Sequence, residues 1–288
     1  MQRLLLCLLA LAGGMLINVV LDVRAQKAKA DAEPAPLAAR AVASQPTLAD
    51  LAAGKLEIVD LAWPLNAQSA FWPGDNYKPF ELHTIATLEK DGVLSKAFST
   101  PEHLGTHLDA PNHFEANRPS VDQIEASDLF APGVMIDVSV QASADPDYRI
   151  GLDDIRSFES AHGPIPSGAV ILAYTGWSRF WDNKARYQNQ DVMSRLHFPG
   201  YSDEAAAFLI NERQARGLGL DTLSVDYGLS RDFPVHHLLG RADCYGLENL
   251  AQLEKLPPRD FFVFVAPMKI ESGSGGPTRV FAAWSKPR

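Results

Sequence analysis

Gly133-Val-Met-Ile-Asp-Val138, then Leu152 to Ala161 with apolar residues at helical spacing, then Ala169-Val-Ile-Leu-Ala-Tyr174 is the stretch that sets the fold class. The two outer runs are short and mostly apolar, the pattern of strands buried inside a sheet. Working outward, Leu56-Glu-Ile-Val-Asp-Leu-Ala62 alternates like a first strand. Phe80 to Leu88 and Leu94 to Ser99 predict further strands flanking a turn at Asp91-Gly92. Ser202 to Arg216 predicts a helix, with Ser202 as N-cap, Asp203 and Glu204 in the first turn, and Gly217 as C-cap. Leu218 to Val225, Phe261 to Ala266 and Arg279 to Trp284 read as strands. Strands interleaved with a few helices predict a mixed α/β domain.

Composition narrows the partners. The chain has 288 residues, 46% hydrophobic, and a formal net charge of -9 from 26 Lys+Arg against 35 Asp+Glu. With no basic block and no Lys/Arg-rich helix face, nucleic acid is not an expected partner. Residues 1–25 stand apart: Arg3 precedes an apolar run from Leu4 to Leu21, and Val23-Arg24-Ala25 offers a small-x-small cleavage site. This reads as a secretory signal peptide, with an uncleaved N-terminal anchor as the alternative, and places the protein across the inner membrane in the periplasm. Residues 26–46, rich in Ala with Pro34, Pro36 and Pro46, read as a flexible leader, and the folded domain is expected over 47–288. Cleavage removes Cys7 and leaves Cys244 alone, so no intrachain disulfide is expected and Cys244 reads as a core residue.

The chemistry concentrates in His103-Leu-Gly-Thr-His107-Leu-Asp109-Ala-Pro-Asn-His113. All four polar groups carry odd numbers, so an extended backbone would send them to one face. Imidazole and carboxylate together suit a divalent metal such as zinc or manganese. A helical His103/His107 pair is disfavoured: Gly105-Thr106 is poor helix material, no Glu follows His103, and Pro111 would soon break such a helix. No G-x-S-x-G elbow, phosphate loop or dinucleotide-binding glycine pattern competes. His83, His162 and His197 read as structural.

His103 through Phe114 closely resembles the HxGTHxDxPxHF signature of the cyclase-like metal hydrolases, which include bacterial kynurenine formamidases and isatin hydrolases. The resemblance extends from about residue 56 to the C-terminus. It implies a single α/β domain of the swivelling β/β/α type, with a central, partly barrel-like sheet flanked by helices. By the same resemblance, His103, His107 and Asp109 would be metal ligands and His113 the proton donor and acceptor. His236 and Glu248, twelve residues apart, would complete a two-metal site as in the formamidases, whereas other members hold one manganese; His237 beside His236 loosens this second match. Trp72, in Phe71-Trp72-Pro-Gly-Asp75, matches a tryptophan that contacts substrate and offers a flat apolar surface to an aryl ring. Lys269 and Ser272-Gly-Ser-Gly-Gly276 match a glycine-rich stretch whose backbone N–H groups could meet a carboxylate or oxyanion.

The ligand set would hold one or two zinc or manganese ions with a position open to water, whose pKa falls toward about 7. The implied reaction is metal-dependent hydrolysis of a C–N bond in a small aromatic formamide or cyclic amide. Alternatives with the same site are a lactone or ester hydrolase, a lyase or dehydratase, and an idle ligand-binding member. Export favours an exogenous cyclic amide such as isatin over N-formylkynurenine. The resemblance also implies a homo-oligomer, a dimer or larger.

Overall fold

The apolar runs near Gly133 and Ala169 form adjacent parallel strands, with Gly133 opposite Val170 and Asp137 opposite Tyr174. The structure, a computed structural model, describes residues 46–286. The predicted signal peptide or anchor and all but the last residue of the leader lie outside the described residues. Thr47 caps a short helix, Leu48–Ala52, by accepting a hydrogen bond from the Asp50 amide.

Eight strands build the main sheet: β1 (Leu56–Asp60), β2 (His107–Asp109), β3 (Phe130–Asp137), β4 (Val170–Tyr174), β5 (Gly217–Leu220), β6 (Tyr245–Glu248), β7 (Phe261–Pro267) and β8 (Gly275–Ser285). Their order is β1-β8-β7-β3-β4-β5-β6-β2, and β2 pairs back onto β8. Seven strands therefore close into a barrel, with β1 added along β8. Strands β3 to β6 run parallel and the other pairings are antiparallel. The partly barrel-like sheet expected from the resemblance is thus a closed one.

Alternation along the strands feeds two cores. On β4, Val170 and Leu172 join the barrel interior with Leu108, Leu247, Phe261 and Val280, while Ile171 and Ala173 face the outer helices. A strand buried on both faces needs apolar residues at every position, which is why this run carries no alternation in its sequence. Two helices, α1 (Leu152–His162) and α2 (Asp203–Asn211), cover that outer face through Ile155, Phe158, Ala205, Ala206 and Leu209. A third, α3 (Pro234–Arg241), begins with proline at its first position.

Helix α2 is shorter than its sequence pattern predicts. Ser202 caps it as expected, accepting from the Ala205 amide, but it stops at Asn211. Arg213 turns back to bind Glu159 of α1, and Gln214 takes φ of +52°. Gly217 is therefore no C-cap; it opens β5, where a Cβ would lie 2.6 Å from the Tyr245 ring. The strand expected over Leu218 to Val225 ends at Leu220, and the remainder is a loop that reaches the site. The turn expected at Asp91-Gly92 closes a single helical turn, Leu88–Asp91, with Gly92 left-handed. It joins Glu81–Ala86 and Ser95–Ser99 into a separate two-stranded ribbon. No helix among the described residues is long and apolar enough to cross a membrane.

Candidate metal centre and active site

Only part of the His103–His113 segment is extended. His107 and Asp109 lie two residues apart on β2 and share a face, as the odd numbering predicts. His103 instead precedes a kink at Gly105, which takes φ of +65°, and His113 ends a 3-10 turn, Pro111–His113. The one-face argument is thus corrected for His103 and His113: a kink and a tight turn, not strand alternation, bring them back to the cluster. The His103 and His113 rings stack with centroids 3.8 Å apart.

The barrel supplies the second half. Register pairs His107 with Glu248 on β6, and their side chains approach to 3.4 Å, Nε2 to Oε2. From α3, His236 places Nε2 3.2 Å from Glu248 Oε1 and 3.5 Å from Asp109 Oδ2. Its neighbour His237 points away and bonds Glu115. Two groups of converging donors result: His103, His107 and Asp109, and Asp109, His236 and Glu248. Asp109 belongs to both.

Each of these three imidazoles is pinned by its outward nitrogen. His103 Nε2 binds Ser274 Oγ at 2.9 Å, and Ser274 in turn donates to Glu102 at 2.6 Å. His107 Nδ1 donates to the Gly105 carbonyl at 2.9 Å. His236 Nδ1 donates to Asp226 at 2.7 Å, a carboxylate that also accepts from the backbone amides of Val235 and His236. The loop after β5 thereby fixes His236 and Glu248 of the second group, because the Val225 amide donates to Glu248 Oε1 at 2.9 Å. These outer bonds fix the ring orientations, so that the inner nitrogens face the shared carboxylates.

The electrostatics call for a cation. Asp109 and Glu248 are buried, and Asp109 Oδ2 has no hydrogen-bond partner among the described residues. Burial works against a charge on His107, but Asp109 and Glu248 outweigh it and push its pKa up to about 10. Burial likewise opposes the Asp109 carboxylate, and His107, His103 and His236 hold it well below the usual range. A buried carboxylate oxygen without a donor, amid imidazoles driven toward the charged form, fits a divalent metal. The donor set of imidazole and carboxylate without thiolate fits that chemistry too.

His113 differs from the other three. Among the described residues none hydrogen-bonds its ring, and burial, the largest influence, lowers its pKa to about 3. Its imidazole is therefore neutral at physiological pH. It borders a cavity of about 210 Å³ whose floor is the donor cluster and whose wall is aromatic: Phe71, Trp72, Tyr77, Phe114 and Phe233. Trp72 is held edge-on by Phe198 and Phe233, with centroids at 6.3 and 5.6 Å. Phe233, Tyr77 and Asp226 carry no local sequence signal, since each reaches the site from a loop. Lys269 is exposed, and the 272–276 stretch does not line the cavity. Its glycines instead permit close packing: a Cβ on Gly275 would lie 2.4 Å from the Leu108 carbonyl and 2.6 Å from the His103 ring. Cys244 is buried, and burial raises its thiol pKa to about 11, so it is an inert core residue.

Similarity to known proteins matches this geometry. A family model described as "Putative cyclase" matches residues 59–227. An isatin hydrolase from Roseibium aggregatum is 32% identical over 249 residues, covering 81% of this chain and 94% of its own. A kynurenine formamidase from Geobacillus thermodenitrificans is 28% identical over 222 residues, covering 77% and 94%. The solved structure of isatin hydrolase A from Ralstonia solanacearum aligns with a TM-score of 0.79 at 35% identity, covering 85% of this chain and 100% of that one.

Proposed function

This chain belongs to the cyclase family of metal-dependent amide hydrolases, and on that premise we propose that it opens a small aromatic cyclic amide of the isatin type. The observation that carries the substrate class is the cavity, in which a wall of five aromatic rings faces the donor cluster. Its volume of about 210 Å³ is below the roughly 300–1,000 Å³ of drug-sized sites, so the substrate is small. Trp72 and Phe233 would stack on or edge the aryl ring and hold the amide over Asp109. An aryl formamide such as N-formylkynurenine presents the same amide chemistry and is the second substrate to assay.

The two donor groups sharing Asp109 support a reading with two zinc or manganese ions, of which His103, His107 and Asp109 would hold one and Asp109, His236 and Glu248 the other. A bound divalent cation supplies polarisation of the amide carbonyl and acidification of water. The protein's own contribution is orientation and proton transfer. Gly105, Ser274 and Asp226 keep the ligand nitrogens aimed inward. His113, neutral and unpinned, takes the proton released as water adds to the carbonyl carbon. It returns that proton to the nitrogen as the C–N bond breaks, giving an amine and a carboxylic acid that releases its proton to solvent as the carboxylate. The apolar segment at 1–25 supports export, and we place the enzyme in the periplasm, where it would meet amides from outside the cell.

The deciding experiment is turnover of isatin and N-formylkynurenine by metal-free and metal-loaded enzyme. Isatin should be opened only after zinc or manganese is restored, and faster than N-formylkynurenine is hydrolysed. A metal-loaded enzyme that hydrolyses neither would overturn the reading.

A further inference from the structure

Asn249 follows Glu248 directly, is buried, and takes φ of +56°, a left-handed conformation that asparagine tolerates better than most side chains. Its side-chain amide is used at both ends: Nδ2 donates to the Gly105 carbonyl at 2.9 Å, and Oδ1 accepts from the Tyr187 hydroxyl at 3.0 Å. A carbonyl can only accept, so this amide has one workable orientation. The Asn249 carbonyl in turn accepts from Thr106 Oγ1 at 2.8 Å. One residue therefore grips the Gly105–Thr106 segment on both sides. Rigidity is needed there, because the Gly105 carbonyl also accepts from His107 Nδ1 and Gly105 forms the kink, with φ of +65°, that returns His103 to the cluster. A glycine peptide swings more freely than others. A carbonyl has two lone pairs and can take a second donor, and Asn249 Nδ2 is that donor.

On the metal reading given above, we propose that Tyr187 and Asn249 are positioning residues: together they clamp the Gly105 carbonyl and through it hold His107 Nε2 toward the ion. Tyr187 suits the anchoring end. Its ring is fully buried, its hydroxyl proton is shared between Asn249 Oδ1 and the Asp221 carbonyl at 3.0 and 2.8 Å, and its own carbonyl accepts from Trp177 Nε1 at 2.8 Å. The chain of bonds runs from Tyr187 through Asn249 and Gly105 to His107, joining segments far apart in sequence. Asn249 borders the cavity, yet its amide nitrogen is turned to Gly105 and its oxygen to Tyr187, so it holds the site rather than binding within it. The same residue reaches the second donor group through the backbone. Its amide donates to the Thr222 carbonyl at 2.9 Å, which ties the end of β6 and Glu248 to the loop that bears Val225 and Asp226.

Competition for zinc between the full chain and a chromophoric chelator tests the clamp, using Tyr187→Phe, Asn249→Gly and the double variant. Phenylalanine keeps the ring and removes only the hydroxyl, and glycine keeps the positive φ while removing the amide. Tyr187→Phe should raise the zinc dissociation constant about 5-fold, the worth of one neutral hydrogen bond. Asn249→Gly should raise it about 10-fold or more. Because the two act through one chain of bonds, the double variant should bind zinc no more weakly than Asn249→Gly alone. Thermal midpoints with and without zinc compare each variant with itself where stability is lost. The rise in midpoint at a fixed zinc excess should shrink from the unaltered chain to Tyr187→Phe to Asn249→Gly. Residues that merely fill the core would lower the metal-free midpoint and leave zinc affinity unchanged, and that result overturns the proposal. Losses of affinity that add in the double variant overturn it as well. An unaltered chain that takes up no zinc fails one step earlier and removes the metal reading along with the clamp.

Discussion

At the scale of single residues, the four histidines of the site divide by what holds them. His103, His107 and His236 have their outer nitrogens bound, while His113 is left unpinned beside the cavity. On the proposed roles that difference separates holding metal from moving protons, and it can be measured. His113→Ala should lower kcat by about 10²–10⁴-fold, the usual worth of a positioned acid–base group, while metal content stays at the level of the unaltered enzyme. Loss of metal in that variant would make His113 a ligand instead. Asp226 predicts the complementary outcome. It accepts from His236 Nδ1, and an asparagine there could turn its amide toward the ring and favour the tautomer that blocks Nε2. Asp226→Asn should therefore weaken metal binding about 10–100-fold, as second-layer partners do elsewhere. Competition with a chromophoric chelator reads this directly, and unchanged affinity would remove Asp226 from the site.

Among secondary-structure elements, the deciding contacts are those that join segments distant in sequence. Glu159 of α1 accepts from Arg213 Nε and Nη2 at 2.7 and 2.9 Å and from the Ile165 amide at 3.0 Å. The Arg213 guanidinium first, and the amide after it, lower the Glu159 pKa. A depressed carboxylate pKa contributes stability that is present above the unfolded value of about 4.3 and lost as pH falls through the folded value. Glu159→Gln should cost about 1 kcal/mol at neutral pH, given the partial exposure of the pair, and that deficit should shrink below pH ~4. Urea titrations across this range would show it, and a deficit independent of pH would rule the ion pair out as its cause. The same link explains what the sequence could and could not disclose. Strands β3 and β4 and helix α1 are legible because their patterns are local. Helix α2 looks longer in the sequence than it is, because Glu212 to Arg216 has a helical pattern until Arg213 finds Glu159. The site is legible from His103 to His113, where chemistry is dense within one segment. Asp226, Phe233 and Tyr77 are not, because only barrel closure brings their loops together.

For the molecule as a whole, the closed barrel and its buried donors make metal and fold one thermodynamic system. Strand β2 bears His107 and Asp109 and is the strand that closes the barrel, pairing β6 on one side and β8 on the other. Without a cation, Asp109 Oδ2 stays buried and unpartnered at that seam, a cost of about 1–3 kcal/mol for a polar group left without a bond. A ligand that binds only the folded chain stabilises it by about 2.7 kcal/mol when present at 100 times its Kd. For a domain of this size each kcal/mol corresponds to about 2–4 °C in Tm, so chelation should lower the midpoint by roughly 5–10 °C, and zinc or manganese should restore it. Gly275→Ala bears on the same seam, because a Cβ there meets the Leu108 carbonyl and the His103 ring at once. That variant should start with the lower Tm and gain less from added metal, since its His103 is displaced. Scanning calorimetry with and without chelator checks both. A midpoint indifferent to confirmed metal removal would mean that the seam closes without help from the ion, and the donor cluster would then serve chemistry alone.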